Sequence, residues 1–245
     1  MNLLIRIFEI IITPGAFKAF ISWKIFSFSS FSLISRAKKC GVAPKSIIDV
    51  GANIGQFSIA ASYLFPDAVI YSVEPDPRVA KKLRNNIEEK HSANIFVTAV
   101  GSEDGEVVLR VNEDSQVTSV LPLGKDRIKF FPSSTVKEEI IVPIKKLDSL
   151  FSDSEILFPA LLKIDVQGSE DKVIKGAERI LTKVKWVIVE VSFANLYNGE
   201  VDFLNIVNLL EQHRFKFLKP LNFHTSPKTG EIIEMDALFE SLHEE

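Results

Sequence analysis

Apolar residues recur along this chain in two rhythms, and the alternation between them marks out its elements. Ser46-Ile47-Ile48-Asp49-Val50 is a short, nearly continuous apolar run closed by Gly51, which predicts a buried strand. Residues 54–65 follow with Phe57, Ala60, Ala61 and Leu64 on one face of a helix that Pro66-Asp67 stops. A second strand is predicted over residues 69–73. After Pro75 and Pro77 come a charged helix to about Lys90 and a third strand over residues 94–100. Two further strand-like runs, at 107–111 and 139–142, flank a loop-rich stretch containing Ser115, Thr118, Pro122, Gly124 and Ser134.

The alternation then resumes. Residues 160–165 predict a strand. Residues 169–181 predict a helix burying Val173, Ile174, Ala177, Ile180 and Leu181. A strand at 186–191, a helix marked by Phe203, Ile206, Val207 and Leu210, and two closing strands at 215–218 and 232–239 complete the pattern. Strands alternating with helices imply a doubly wound α/β domain over residues 45–245, with a mostly parallel sheet of about seven strands. The closing strands predict an antiparallel hairpin at one edge. The insertion spans about 112–138, and residues 1–44 form an N-terminal helical extension.

That extension has its own pattern. Leu3, Leu4, Ile7, Phe8 and Ile11 fall on one face of a helix ended by Thr13-Pro14-Gly15; Phe17, Phe20, Ile21 and Phe28 continue at helical spacing until a Ser-rich stretch loosens it. Charge sharpens the contrast with the body. Residues 1–40 hold six basic residues against Glu9 alone, a net +5, while the remaining 23 basic and 31 acidic residues leave −8. An acidic body disfavours nucleic-acid binding, which depends on phosphate contacts. No run of 18 uncharged apolar residues exists, and Arg6 and Glu9 interrupt the only signal-peptide-like segment, so a cytoplasmic protein is expected. Two readings of residues 1–40 stay open: packing onto the domain, or peripheral contact with the inner face of a membrane. Cys40 is the single cysteine, which excludes an internal disulfide framework. His91, His213 and His243 lack the spacing of a metal site, and no metal is expected.

Ligands of such sheets sit beyond the carboxyl ends of the strands, so the strand tips carry the chemistry. The first tip reads Asp49-Val50-Gly51-Ala52-Asn53-Ile54-Gly55-Gln56-Phe57. Two glycines four apart let the backbone come close to a ligand. The pattern is not the three-glycine dinucleotide fingerprint, and Asp49 would repel a pyrophosphate while attracting an ammonium or sulfonium. Glu74 ends the second strand beside this turn, where a carboxylate accepts hydrogen bonds from ribose hydroxyls. Val100 and Gly101, at the third tip, lie where an adenine ring would reach.

The fourth tip, Lys163-Ile164-Asp165-Val166-Gln167-Gly168-Ser169-Glu170, completes a resemblance. Together with Ile48 to Ser58, Val73-Glu74-Pro75, Ala99-Val100-Gly101, Leu147-Asp148-Ser149-Leu150 and Lys175-Gly176-Ala177, it resembles the FkbM family of methyltransferases over residues 45–218. The family more often has Glu where this chain has Gln167. The resemblance implies S-adenosyl-L-methionine as cofactor and a hydroxyl-bearing small molecule or glycan as acceptor. It places Asp49, Gly51, Asn53, Gly55, Gln56 and Phe57 around the methionine portion and ribose, Glu74 on the ribose hydroxyls, Val100 and Gly101 at the adenine, and Asp165 near the sulfonium.

A hydroxyl is a poor nucleophile until its proton has somewhere to go. Asp165 is the first candidate base, Glu190 at the next strand tip the second, and His224, read as lying in a loop, the third. The insertion, with Lys125, Arg127 and Lys129, and the N-terminal helices are candidates for a lid, locally basic enough for an anionic acceptor. Two other functions remain open at this point: an NAD(P) oxidoreductase using Glu74, and a non-catalytic module tethered to a membrane glycan assembly.

Overall fold

A computed structural model of the chain describes residues 3–23, 25–87, 94–131, 134–152, 154–226 and 229–243; for residues 3–7 it describes the backbone alone. Three helices come first: α1 (Leu3–Ile12), α2 (Ala16–Ser22) and α3 (Phe28–Lys39). Then follow β1 (Ser46–Val50), α4 (Gln56–Leu64), β2 (Val69–Val73), α5 (Pro77–Ile87), β3 (Asn94–Phe96), β4 (Ala99–Val100) and β5 (Gly105–Asn112). The chain continues through α6 (Lys125–Phe130), β6 (Val136–Lys145), α7 (Leu147–Leu150), β7 (Ala160–Ile164), α8 (Glu170–Lys175) and α9 (Glu178–Leu181). It closes with β8 (Val184–Ser192), α10 (Phe203–Gln212), β9 (Phe215–Thr225) and β10 (Ile232–Ser241).

The main sheet has seven strands in the order β3-β2-β1-β7-β8-β10-β9. It is parallel up to β8, and β10 then runs antiparallel between β8 and β9. Strand parity divides the core into two layers. Ile48, Val50, Leu162, Ile164, Val187 and Val189 meet α8, α9 and α10 on one face. Ile47, Ile70, Leu161 and Ile188 meet α3, α4 and α5 on the other. Burial on both faces is why these strands read as unbroken apolar runs. Among the described residues no helix is long and apolar enough to cross a membrane.

Several expectations need correction. The Ser-rich stretch is helical: Ser27 caps α3 by accepting from the Ser30 amide (3.3 Å), and the other serines interleave with buried Phe31, Leu33, Ile34 and Ala37. That face places α3 inside the core on α4, as the packing reading of this part of the extension expects. The third strand divides. β3 joins the main sheet, whereas β4 joins a separate sheet in the order β4-β6-β5, and the Thr98 hydroxyl between them donates to the Pro143 carbonyl (3.0 Å). The helix expected over 169–181 breaks into α8 and α9 at Gly176, where an added Cβ would lie 2.0 Å from the Gly101 carbonyl oxygen. Asp148 caps α9 from across that break, accepting from the Arg179 and Ile180 amides, both at 2.9 Å. The insertion is not all loop, since it holds α6 and a 3-10 turn at Ser115–Val117. The expected helix end at Lys90, and His91, lie outside the described residues.

Candidate active site

A cavity of about 360 Å³ opens at the carboxyl ends of β1, β2, β7 and β8. Its size is that of a small-molecule pocket. The turn after β1 forms one wall. The Gly51 and Ala52 amides both donate to the Val73 carbonyl (3.0 Å each), and the Asp165 amide donates to the Val50 carbonyl (3.1 Å). Gly51 has φ +81°, and an added Cβ would stand 1.8 Å from the Asp165 carbonyl oxygen, so only glycine fits this junction. Asn53 is left-handed as well (φ 48°), and its side-chain oxygen accepts from the Ile54 amide (2.7 Å) and from the Ser115 hydroxyl of the insertion (2.9 Å).

Glu74 faces this turn. Its carboxylate accepts from the Asn53 amide (2.9 Å) and the Asp76 amide (3.0 Å), and burial pushes its pKa up to about 7. Gly51, Asn53, Gln56, Phe57, Glu74 and Val100 all line the cavity. Three residues named from the sequence do not. Gly55 caps α4 at φ +98° against Leu83 and Ile87, and Gly101 packs on Ile144 and, through its carbonyl, on Gly176. Asp49 lies behind the wall. It shares strand parity with Ile47, so its carboxylate points at α4 and accepts from the Ser58 hydroxyl (2.5 Å), which also touches Ser72 (2.8 Å). Its register partner Lys163, 3.8 Å away on the same face of the sheet, does line the cavity, so Asp49 sits next to the site and not in its lining.

The opposite wall gathers the acid–base groups. Lys163 donates to Asp165 (2.9 Å) and stands 3.8 Å from Asp49. Burial opposes ionisation of Asp165, but Lys163 and the amide of Gln167 outweigh it and hold the carboxyl below the usual range. Glu190 is driven the other way: burial first, then the nearby Asp165, Glu234 and Asp236, raise it well above a normal glutamate. Gln167 ties the two together. It sits at φ 60°, its NH₂ group donates to Asp165 (2.8 Å) and to Glu190 (2.8 Å), and its carbonyl oxygen accepts from the Tyr197 hydroxyl (2.6 Å). Glu170 fixes the turn beneath by accepting from the Val166 and Gly168 amides (3.1 Å each), and burial lifts it to about 8.

His224 lines the cavity too, but from strand β9 and not from a loop, with its side chain exposed. Across from it, Glu234 and Asp236 of β10 are buried, and burial raises them to about 7 and about 6. These two were missed, although charges alternating within Ile232-Ile233-Glu234-Met235-Asp236-Ala237 were a visible signal. Arg127 is buried rather than solvated. It lies over the rings of Phe131 (4.4 Å) and Tyr197 (5.7 Å) and 4.0 Å from Glu234, whereas Lys125 and Lys129 face solvent. The acceptor end thus carries Asp165, Glu190, Glu234 and Asp236 against Lys163 and Arg127, and of the three basic residues Lys125, Arg127 and Lys129 it is Arg127 that lines the cavity. The Ser119 hydroxyl donates to the Gln167 carbonyl (2.6 Å), so the insertion closes over both ends of the cavity.

Among the described residues, no group of three or more His, Cys, Asp and Glu is placed to hold a metal ion. Comparison with known proteins matches residues 49–217 to the methyltransferase FkbM domain. The 2-O-methyltransferase NoeI of Sinorhizobium fredii is 26% identical over 170 residues, covering 67% of this chain and 70% of its own. The hexuronic acid methyltransferase AglP of Haloferax volcanii is 26% identical over 144 residues, 58% of this chain and 54% of its own. An S-adenosylmethionine-dependent methyltransferase from Clostridium acetobutylicum superposes with a TM-score of 0.51 at 7% identity, covering 97% of both chains, which shows the shared fold. The oxidoreductase alternative gains nothing from these matches. A family domain that begins at the tip of β1, ends in β9 and takes in the strand tips of β2, β7 and β8 leaves one assignment: the chain belongs to the FkbM methyltransferase family and uses S-adenosyl-L-methionine.

Proposed function

We propose that this enzyme methylates a hydroxyl oxygen on a saccharide, glycolipid or related metabolite. The names of the relatives support the acceptor class: one is a 2-O-methyltransferase and the other acts on a hexuronic acid. The acceptor end of the cavity supports it further. Asn222, Glu234 and Asp236 line this end beside Arg127 and Lys163, and such a set of acceptors and donors suits a polyhydroxyl compound, which makes many hydrogen bonds.

The residues fit the cofactor. In this reading Gly51, Asn53, Gln56 and Phe57 surround its methionine portion and ribose, Glu74 takes the ribose hydroxyls, and Val100 borders the adenine. Gly55, Gly101 and Asp49 shape the walls from behind. The close approach at Gly51 leaves the backbone free of side chains where the ligand passes, and ionised Glu74 has acceptor capacity beyond its two amide partners. When bound, S-adenosylmethionine supplies a methyl group made electrophilic by the sulfonium.

The observation that carries the reading is Asp165, held ionised by Lys163 in the same cavity as the Gly51–Glu74 turn. As the acceptor oxygen gains its new bond to carbon, it takes on positive charge and its proton becomes strongly acidic. A carboxylate of low basicity therefore suffices to receive it, provided that it stays charged. Glu190, bridged to Asp165 by Gln167, is the second proton site of the pair, and exposed His224 at the mouth is the third candidate. The insertion and α3, which both line the cavity, exclude water and position the acceptor.

The test combines methyl transfer to a panel of saccharides with mass spectrometry of envelope glycans in cells with and without the gene. A lost methyl increment is expected in the deletion. Asp165→Asn should lower turnover by about 10²–10⁴ with binding of S-adenosylhomocysteine kept. Full turnover in that variant overturns the role of Asp165, and glycans unchanged by the deletion overturn the acceptor class.

A further inference from the structure

We propose that the outward face of α1 and α2 is a docking surface for an anionic phospholipid bilayer. Phe8, Ile11, Ile12, Phe17, Phe20 and Ile21 stand on this face, each between 52% and 66% exposed. The arrangement inverts the usual amphipathic rule. In α2 the small residues Ala16 and Ala19 point into the core, while the large apolar residues beside them point to solvent. Trp23, stacked on Tyr63 at 4.5 Å, anchors the end of the helix to the body, and Phe20 packs edge-on against Phe26 at 5.7 Å while remaining 54% exposed. A contiguous exposed apolar patch of this kind marks a membrane or protein contact.

Charge selects the membrane. Residues 1–27, which precede α3, hold Arg6, Lys18 and Lys24 against Glu9, a net +2, and the rest of the chain carries −5, so an anionic surface attracts this end, repels the body and thereby sets the orientation. Exposed Lys18 lies within the apolar run itself. Two copies paired through this same face would instead bring two segments of net +2 together. Position adds a purpose. Ser27, Ser29, Ser30 and Leu33, which follow directly, line the cavity, so docking brings its rim to the headgroup layer, where a membrane-anchored acceptor is presented. That last consequence rests on the acceptor class proposed above; the docking does not.

The experiment floats the full-length protein with vesicles of phosphatidylcholine alone and of phosphatidylcholine with phosphatidylglycerol. Binding is expected only to the second, weakening as salt rises. Withdrawing an apolar side chain of this size costs roughly tenfold in partitioning. Phe17→Ser, Phe20→Ser and Ile21→Ser combined should therefore reduce binding at least about 100-fold, with binding of S-adenosylhomocysteine unchanged. Lys18→Glu alone should cost about fivefold or more. No flotation at low salt, equal flotation of the triple variant, or a wild-type dimer that the triple variant dissolves without any vesicle binding would each overturn the proposal. None of these readouts uses turnover, so failure of the acceptor assignment would leave a positive flotation result standing.

Discussion

Replacing Gly51 by alanine tests the central junction of the site. The residue has φ +81°, a region that costs an L-residue about 1–2 kcal/mol. The added methyl group would also sit 1.8 Å from the Asp165 carbonyl oxygen and 2.8 Å from its carbon. Both neighbours are backbone, so no side chain can swing aside, and the β1 turn and the β7 tip must separate by about an ångström. Relieving an overlap of that kind costs about 1–3 kcal/mol. Together the two effects predict a loss of about 2–5 kcal/mol, visible in urea unfolding as a lower midpoint at constant slope. The shift moves the main chain of Asp165, so turnover should fall by up to about 10²-fold beyond any loss of folded protein. Gly105→Ala is the control, since nothing lies within 4 Å of its added Cβ, and it should change stability by less than about 0.5 kcal/mol. If Gly51→Ala proves as stable and as active as that control, the close contact between the two strand tips is not what holds the cavity wall in place.

Three further outcomes follow from the buried polar groups. Gln167→Leu removes both donors that bridge Asp165 and Glu190, and should lower kcat by about 10- to 100-fold and move the acid limb of the pH profile upward; an unshifted limb would mean that Gln167 only fills space. Ser58→Ala deprives buried Asp49 of its hydroxyl donor while Asp49 Oδ1 already lacks a hydrogen-bond partner, so urea unfolding should report a loss of about 1–3 kcal/mol, and none would refute this accounting. In the unliganded protein, Glu74, Glu170, Glu234 and Asp236 have folded pKa values of about 7, 8, 7 and 6, above those of unfolded carboxyls near 4. Their contribution is complete below that unfolded value and is lost as pH rises through the folded values. Stability should therefore fall as pH rises from about 4 to about 8, by several kcal/mol, and a flat or rising profile in urea unfolding would contradict the burial of these groups.

The parallel half of the main sheet was legible because strands buried on both faces write themselves as apolar runs ending in glycine or a carboxylate. The second sheet was not. β5 and β6 carry Glu106, Lys137, Glu138 and Glu139 on a solvated surface, which masks their length, and the turn of the chain at Thr98 depends on Pro143, distant in sequence. At the site, the residues of each strand tip were found, but which of them face the ligand is a matter of parity. Asp49 stands one residue further back from the tip than Gly51, beside the cavity-lining Lys163, and its place before Gly51 conceals that it is not itself in the lining. Gln167, Tyr197 and Arg127 meet only through the fold, since Tyr197 reaches Gln167 from a separate loop and Arg127 becomes buried by lying on two rings.

The insertion is fastened to different parts of the body at its two ends. Ser115 is tied to Asn53 and Ser119 to the main chain of Gln167, each a residue whose backbone is already locked in a left-handed turn. The stretch after residue 119 is keyed to the loop that follows β8: the Asn198 amide donates to the Pro122 carbonyl (2.8 Å), the Gly124 amide to the Leu196 carbonyl (2.7 Å), and Arg127 lies over the Tyr197 ring. Two segments distant in sequence thus form one cover over the acceptor side. A graft that keeps residues 112–119 and exchanges the remainder together with residues 194–198 should alter which alcohol is chosen while leaving the nucleoside half of the pocket as it was.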